Sequence, residues 1–210
     1  MPTRIKVCGV TRLEDALLAV KLGVSALGFN FYRPSPRYIA PAAARAIIDR
    51  LPPFVAAVGI YANETEMEHV TAIADEAGVG VVQLHGPKFP LGDAQPAGRP
   101  LIRAVAVDKD FKPESLAALK ASAFLLDAFH PHLSGGTGNT FDWELARDAG
   151  RFGTIILAGG LNPTNVGRAI QEVHPYAVDV ASGVELAPGQ KNPELLRAFF
   201  AAVQQADGYL

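Results

Sequence analysis

Short apolar runs alternate with amphipathic stretches along almost the whole of this chain. Eight of these runs are rich in apolar and β-branched residues, which is typical of strands in a parallel sheet that is covered on both faces. The predicted strands are Ile5–Val10, Ala26–Phe31, Val55–Tyr61, Val81–Leu84, Leu101–Val107, Ala123–Asp127, Thr154–Ala158 and Ala177–Ala181. The predicted helices are Leu13–Leu22, Pro41–Leu51, Glu64–Ala77, Pro113–Lys120, Trp143–Asp148, Pro163–Val173 and Pro193–Gln205.

Two architectures accommodate this alternation, a closed (β/α)8 barrel and an open doubly wound sheet. Eight units in 210 residues average about 26 residues, close to the lower limit for a closed barrel. An open sheet usually has G-x-G-x-x-G after its first strand, whereas this chain has C-G-V-T-R at residues 8–12. We therefore predict an α/β protein, a (β/α)8 TIM barrel forming one domain over residues 1–210. The Pro- and Gly-rich stretch 86–100 predicts a short or irregular connection after strand four.

Composition narrows the classes of function. Hydrophobic residues make up 49% of the chain and charged residues 19%, so a substantial core is available. A net charge of −2 with scattered Lys and Arg residues argues against nucleic-acid partners, and no apolar run approaches the roughly 18 residues of a membrane span. The first residues enter a strand pattern without room for a signal peptide, and one cysteine cannot form an intramolecular disulfide. We expect a cytoplasmic protein.

The residues that follow the strands are the candidates for chemistry, because the active site of such a barrel lies at the carboxyl ends of its strands. Cys8 lies near the end of strand one, His85 follows strand four and Asp127 ends strand six. A lone cysteine is most often a buried packing residue, and an aspartate after a strand often caps a loop. At a barrel mouth, a thiol and a carboxyl group can instead transfer protons. Arg37, between prolines in S-P-R-Y-I, suits a carboxylate ligand, with a surface salt bridge as the ordinary alternative.

A Gly-Gly pair and a Ser-Gly pair follow the last two predicted strands. Gly159 and Gly160 precede a predicted helix, and Ser182 and Gly183 follow the neighbouring strand. Glycines allow backbone N–H groups to approach an anion, and phosphate sites recur after strands seven and eight of barrels. These glycines could also serve only to make tight turns. We predict phosphate binding here, and therefore a phosphorylated small-molecule substrate.

Two other motifs carry less weight. The run Gly135-Gly136-Thr137-Gly138 lacks the Lys-Ser/Thr and the preceding strand of a phosphate loop, so we interpret it as a flexible loop. His130 and His132 have an H-x-H spacing, but no further ligand cluster accompanies them. We predict no metal site.

The alternation of side chains along a strand suggests which charged groups lie near the Cys8 thiol. Lys6 and Cys8 alternate onto the same face of strand one, and in a closed barrel Asp179 on strand eight also points inward. We hypothesise that Lys6 pairs with Asp179 inside the barrel and helps to bias Cys8 toward the thiolate.

Several motifs together resemble one enzyme family. They are K-V-C-G-V-T, G-F-N-F-Y-R-P-S-P-R-Y-I, V-G-I-Y-A-N, Q-L-H-G, L-L-D, G-G-T-G-N-T-F-D-W, L-A-G-G-L-N-P-x-N-V and D-V-A-S-G-V-E, in order from Lys6 to about Lys191. This combination resembles the phosphoribosylanthranilate isomerases of tryptophan biosynthesis. The chain departs from the family pattern at Ala181, where serine is usual, and at Gln190-Lys191-Asn192, where Lys-Lys-Asp is usual.

The resemblance implies a barrel enzyme without cofactor or metal. The implied reaction is an Amadori rearrangement of N-(5-phosphoribosyl)anthranilate to 1-(o-carboxyphenylamino)-1-deoxyribulose 5-phosphate. Asp127 matches the general acid that opens the furanose ring, and Cys8 matches the general base that removes the C2′ proton. Arg37 matches the residue that holds the anthranilate carboxylate. The other predicted substrate contacts are His85, in Q-L-H-G, and the phosphate-loop residues Gly159, Gly160, Ser182 and Gly183.

Three rival functions remain to be weighed. The first is the related ribosyl-carboxamide isomerase of histidine biosynthesis, or a form that acts on both substrates. These relatives have an aspartate where this chain has Cys8, so the cysteine disfavours them. A ribulose-phosphate epimerase would need a metal-binding His/Asp set that this chain lacks. A phosphosugar-binding regulator would need neither Cys8 nor Asp127. The protein is expected to be a monomer or a homodimer.

Overall fold

Eight parallel strands close into a barrel in the computed structural model, which describes residues 1–64, 66–86, 98–108, 110–128 and 143–208. The strands follow chain order around the barrel, from β1 to β8 and back to β1. Their bounds are β1 Arg4–Val7, β2 Ala26–Asn30, β3 Ala56–Ala62, β4 Val81–His85, β5 Leu101–Val107, β6 Ala123–Ala128, β7 Ile155–Leu157 and β8 Ala177–Val180. The predicted TIM-barrel class is confirmed.

Helices surround the barrel between the strands. Their bounds are α1 Leu13–Lys21, α2 Pro41–Ile48, α3 Met67–Ala77, α4 Trp143–Ala149, α5 Val166–Val173 and α6 Pro193–Ala206, with short 3-10 helices at Pro113–Ala118 and Ser182–Val184. At the start of α6, the Asn192 side chain accepts hydrogen bonds from the backbone N–H groups of Glu194 and Leu195. No helix within the described ranges is both long and apolar enough to cross a membrane.

Four predicted helices differ from the structure. Two of them, predicted over Pro41–Leu51 and Glu64–Ala77, are shorter, as α2 Pro41–Ile48 and α3 Met67–Ala77. The helix expected from Pro163 begins at Val166, because Asn162 and its neighbours form a turn first: Asn162 Oδ1 accepts from the Thr164 backbone N–H at 2.8 Å. The helix expected over Pro113–Lys120 is a 3-10 helix that ends at Ala118, as short connecting helices often are. The predicted irregular connection after strand four falls largely on residues 87–97, and the loop at residues 135–138 and His130 and His132 also lie outside the described residues.

A small hairpin follows the barrel's last strand and was not predicted. The strands β9, Glu185–Ala187, and β10, Gln190–Lys191, pair antiparallel across the turn Pro188-Gly189. The Thr11 hydroxyl donates to the Gly189 carbonyl at 2.6 Å, which fastens this hairpin to the loop after β1. The hairpin therefore places residues that follow β8 over the end of β1.

The interior of the barrel changes from apolar to polar along its axis. A separate apolar cluster fills one part of it: Val58, Ile102, Ala123, Leu125, Ile156, Ala158 and Ala177. Further toward the carboxyl ends of the strands, three inward-facing side chains are polar and buried: Lys6 on β1, Gln83 on β4 and Asp179 on β8. On β6, Asp127 comes two residues after Leu125 and so continues the inward-facing row toward the carboxyl end.

Candidate active site

A cavity of about 470 Å³ lies at the carboxyl ends of the strands. Polar groups from the strands and from the loops that follow them line it. The structure brings together here the following predicted site residues: Cys8, Arg37, His85, Asp127, Gly159, Gly160 and Ser182. Gly183 does not line the cavity and lies beside it in the loop after β8. A side chain at position 183 would overlap the carbonyl oxygen of Leu161, so this glycine allows the loops after β7 and β8 to meet.

Cys8 follows directly after β1 and lines the cavity, where part of the residue remains exposed. The Cys8 backbone N–H donates to the Val180 carbonyl at 2.8 Å, which continues the β1–β8 pairing and fixes the backbone of the thiol-bearing residue. The next residue, Gly9, has a φ of +71°, and a Cβ there would lie 2.5 Å from Arg37 Cδ. The glycine after the cysteine therefore serves both a left-handed turn and the close passage of the Arg37 side chain.

Beneath Cys8, Lys6 and Asp179 form the buried ion pair that strand parity predicted. Lys6 Nζ lies 2.8 Å from Asp179 Oδ1, and the two side chains are 3% and 9% exposed. Burial by itself lowers the pKa of Lys6, but the charges of Asp179 and Cys8 outweigh it and the pKa is raised above its ordinary value. Lys6 is thus a charged group inside the barrel.

The pKa of the Cys8 thiol is raised, contrary to the hypothesised bias toward the thiolate. Burial is the largest cause, and the charge of Asp179 adds to it, whereas Lys6 and Lys191 act in the opposite direction. Lys6 therefore acts on the thiol in the predicted sense, but burial prevails because the thiolate loses its hydration.

The carboxyl group of Asp127 enters the same cavity from the opposite part of the barrel wall. Asp127 lies in β6, beside Ala106 of β5, and its side chain is partly buried. Because β1 and β6 are not neighbours in the barrel, a ligand in the cavity can lie between the thiol and the carboxyl group. This is the arrangement needed for a separate proton donor and acceptor.

The guanidinium of Arg37 is held by a carboxylate that sequence reasoning missed. Arg37 Nε lies 3.0 Å from Glu185 Oε1 and Nη2 lies 2.6 Å from Glu185 Oε2, so the contact is bidentate. It is not the surface salt bridge considered above, since the Glu185 side chain is only 4% exposed. Hydrogen bonds from Arg37 and Lys191 keep the pKa of Glu185 below its ordinary value, although burial acts to raise it.

His85 is held by a second polar residue that the sequence analysis did not single out. Gln83 Nε2 lies 2.7 Å from His85 Nε2, and both residues line the cavity. Burial, with a contribution from the charge of Lys6, lowers the pKa of His85 to about 4, so the ring is neutral near pH 7. Gln83 Oε1 is buried without a hydrogen-bond partner within the described residues. The spacing of two residues within one strand was the available signal, since it places Gln83 and His85 on the same face.

The loop after β7 presents backbone donors to the cavity. Gly159 and Gly160 have φ angles of +82° and +66°, and neither backbone N–H donates to an acceptor within the described part of the chain. The Asn165 and Asn162 side-chain amides donate to the Gly160 carbonyl at 3.0 and 3.2 Å, which stabilises the loop. Unpaired N–H groups in a fixed loop are suited to an anion. The motif L-N-P-T-N was the sequence signal for these two asparagines.

The composition of the site gives no sign of a metal centre in the part of the chain that the structure describes. No group of three or more His, Cys, Asp or Glu side chains with the spacing of metal ligands occurs among these residues. The groups that line the cavity include backbone N–H groups, a thiol and a carboxyl group, which suit anion binding and proton transfer.

Comparison with known proteins points to one family. Residues 5–202 match the family model described as N-(5′-phosphoribosyl)anthranilate (PRA) isomerase. The N-(5′-phosphoribosyl)anthranilate isomerase of Geobacter sp. (strain M21) is 51% identical over 97% of this chain and 98% of its own length. Phosphoribosyl anthranilate isomerase from Thermus thermophilus superposes with a TM-score of 0.84 at 41% identity, covering 97% of this chain and 99% of that one.

Two further solved structures bear on ligand and assembly. A phosphoribosyl anthranilate isomerase in complex with reduced 1-(o-carboxyphenylamino)-1-deoxyribulose 5-phosphate superposes with a TM-score of 0.79 at 39% identity, covering 98% of this chain and 99% of that one. Monomers generated from the dimeric isomerase of Thermotoga maritima superpose with a TM-score of 0.78 at 36% identity, covering 96% and 98% of the two chains.

Proposed function

The chain belongs to the N-(5′-phosphoribosyl)anthranilate isomerase family, and we propose that this isomerase works without a metal ion, with Cys8 as general base and Asp127 as general acid. Its reaction is the conversion of N-(5′-phosphoribosyl)anthranilate to 1-(o-carboxyphenylamino)-1-deoxyribulose 5-phosphate in tryptophan biosynthesis. The observation that carries the proposal is that a thiol and a carboxyl group from non-adjacent strands enter one cavity that also contains anion-binding groups.

Two anions of the substrate are held at separate places. The phosphate binds at the loops after β7 and β8, where the N–H groups of Gly159 and Gly160 are its donors, with Ser182 and Gly183 alongside. The anthranilate carboxylate binds the guanidinium of Arg37. Because both anchors border the cavity, they orient the ribose between Cys8 and Asp127.

The chemistry then proceeds in two proton transfers. Asp127 donates its proton to the furanose ring oxygen as the C1′–O4′ bond breaks, and the lone pair of the anthranilate nitrogen forms the Schiff base. The Cys8 thiolate removes the C2′ proton, the electrons of that C–H bond form the C1′=C2′ bond, and the π electrons of the C=N bond of the Schiff base return to nitrogen. The enolamine loses its hydroxyl proton and gains a proton at C1′, which gives the aminoketose. Each transfer contributes on the order of 10²–10⁴ to the rate.

The neutral ring of His85 suits contact with the uncharged sugar. With a pKa of about 4, His85 carries no charge at neutral pH. Because the Gln83 amide donates to His85 Nε2, the Nδ1–H group remains to donate a hydrogen bond to a ribose hydroxyl. Its contact with Gln83 holds the ring in place.

Turnover in the presence of EDTA tests this assignment. The loss of anthranilate-type fluorescence is followed when the protein meets N-(5′-phosphoribosyl)anthranilate, with Cys8→Ser and Asp127→Asn measured in parallel. We expect turnover by the wild type and a loss of at least about 10²-fold in kcat for either variant. Both variants should still bind the reduced product analogue, which excludes misfolding. A wild type that turns over only with added metal would contradict the metal-free mechanism.

We also propose that the enzyme is a cytoplasmic homodimer of single-domain subunits, each formed by residues 1–210. At the amino ends of the strands, Phe54 is 96% exposed and borders a second cavity of about 410 Å³, with apolar walls that include Val58 and Ile102. An exposed aromatic residue beside an apolar cavity is typical of an interaction surface. The dimeric relative from Thermotoga maritima supports this assembly, and the reducing cytoplasm keeps the Cys8 thiol in its active form.

A further inference from the structure

A chain of charged groups connects two parts of the site. Glu185 accepts from Arg37 at 2.6–3.1 Å and from Lys191 Nζ at 2.8 Å. Lys191 Nζ also donates to the backbone carbonyl of Cys8 at 2.5 Å. Residues that are far apart in sequence, on the loops after β2 and β8 and at the end of β1, are thereby joined in one network.

The inner part of this network is buried. The Lys191 and Glu185 side chains are 0% and 4% exposed, whereas Arg37 is 23% exposed and reaches the cavity. Burial lowers the pKa of Lys191, and the hydrogen bond with Glu185 opposes this effect. A buried ion pair gives little or no stability beyond that of a well-packed apolar pair. Its distinctive effect is to fix the positions of the groups that it joins.

Glu185 engages only one edge of the Arg37 guanidinium. The contacts are made by Nε and Nη2, and Nη1 has no hydrogen-bond partner within the described ranges of the chain. A guanidinium has five N–H donors in one plane, so an arginine held along its Nε edge can still offer its Nη1–Nη2 edge to a second carboxylate.

We propose that Glu185 is a positioning residue, which holds Arg37 so that its remaining edge receives the substrate carboxylate and which, through Lys191, fixes this carboxylate subsite relative to Cys8. The inference rests on the proposed carboxylate-binding role of Arg37. It explains why the hairpin β9–β10 packs over the end of β1: the hairpin carries both Glu185 and Lys191.

Binding of paired ligands separates positioning from general support of the fold. The ligands are the reduced product analogue, 1-(o-carboxyphenylamino)-1-deoxyribulose 5-phosphate in reduced form, and the same compound without its carboxyl group. The ratio of their dissociation constants measures the preference for the carboxylate. We expect this preference to fall about tenfold in Glu185→Gln and at least as far in Arg37→Met. A merely structural role would weaken binding of both ligands equally.

Two further variants complete the test. Glu172→Gln is the matched control, since Glu172 forms an exposed pair with Arg168 and should leave the preference unchanged. Glu185→Gln with Lys191→Met removes one negative and one positive charge, so it leaves the net charge of the network unchanged. It replaces Glu185→Gln if that variant does not fold, and it should show the same loss. The inference is overturned if Arg37→Met loses the preference while both Glu185 variants retain it. It is also overturned if Arg37→Met retains the preference, in which case turnover by the wild type still leaves the acid–base assignment intact.

Discussion

Lys6 and Asp179 face each other across the seam at which β1 and β8 close the barrel, with Lys6 Nζ 2.8 Å from Asp179 Oδ1. The two residues are direct partners in the strand register. A charged pair at this seam lies between the apolar interior cluster and the cavity, directly below the thiol of Cys8. Its removal should therefore affect both the stability of the barrel and the chemistry of the site.

Removal of one partner should destabilise the protein strongly. Lys6→Met leaves the buried Asp179 without its cation, so we expect the free energy of unfolding to fall by about 3–5 kcal/mol. Urea unfolding measures the change. In the exposed control pair, Arg45→Met removes the partner of Asp49 and should cost only about 0–1 kcal/mol. Equal losses in the two variants would contradict the importance of burial.

The pH dependence of Cys8 follows from the direction of its pKa. A general base acts when deprotonated, and burial raises the thiol pKa, so activity should still be rising with pH above the ordinary range of a thiol. Because Lys6 lowers this pKa, Lys6→Met should move the profile to higher pH. Alkylation by iodoacetamide as a function of pH reports the same group directly, since Cys8 is the sole cysteine. Coincident pKa values in wild type and variant would disprove the coupling.

Gly9 should matter for catalysis as well as for the fold. Gly9→Ala places a Cβ 2.5 Å from Arg37 Cδ at a positive φ, so it should lower kcat/KM by about 10²-fold through displacement of Arg37. Gly23→Ala is the matched control, because Gly23 has a φ of +93° and an added Cβ there meets nothing within 4 Å. Both variants should lose about 1–3 kcal/mol of stability from backbone strain. Only Gly9→Ala should lose activity, and similar kinetics in the two variants would refute this role.

The dimer surface can be tested without touching the active site. Phe54→Glu places a charge on the apolar surface at the amino ends of the strands, so sedimentation analysis should show a monomer where the wild type is a dimer. Leu17→Glu, at a position on α1 that is 40% exposed, is the control and should remain dimeric. A monomeric wild type would end the homodimer proposal. The kcat of Phe54→Glu should stay close to that of the wild type.

The fold and the positions of the candidate proton-transfer groups could be predicted from the sequence alone. Apolar runs ending at Cys8 and Asp127 are local features, and the rule that active sites lie at the carboxyl ends of barrel strands converts them into a prediction. The pairing of Lys6 with Asp179 could also be predicted, because the alternation of side chains along a strand and the closure of the barrel together determine which side chains meet where β1 and β8 pair.

Only the tertiary structure determined which distant side chains contact one another and which of the opposing effects on the Cys8 pKa prevails. Glu185 lies 148 positions from Arg37, and Lys191 lies 183 positions from Cys8, so no local pattern indicates that these groups meet. The direction of the Cys8 pKa shift likewise depends on burial and the charge of Asp179, which raise the pKa, set against the charges of Lys6 and Lys191, which lower it. Asp179 and Lys191 come from a distant part of the chain. The alternation of apolar residues can be read directly from the sequence, whereas contacts between distant residues and the desolvation of buried groups depend on how the whole chain packs.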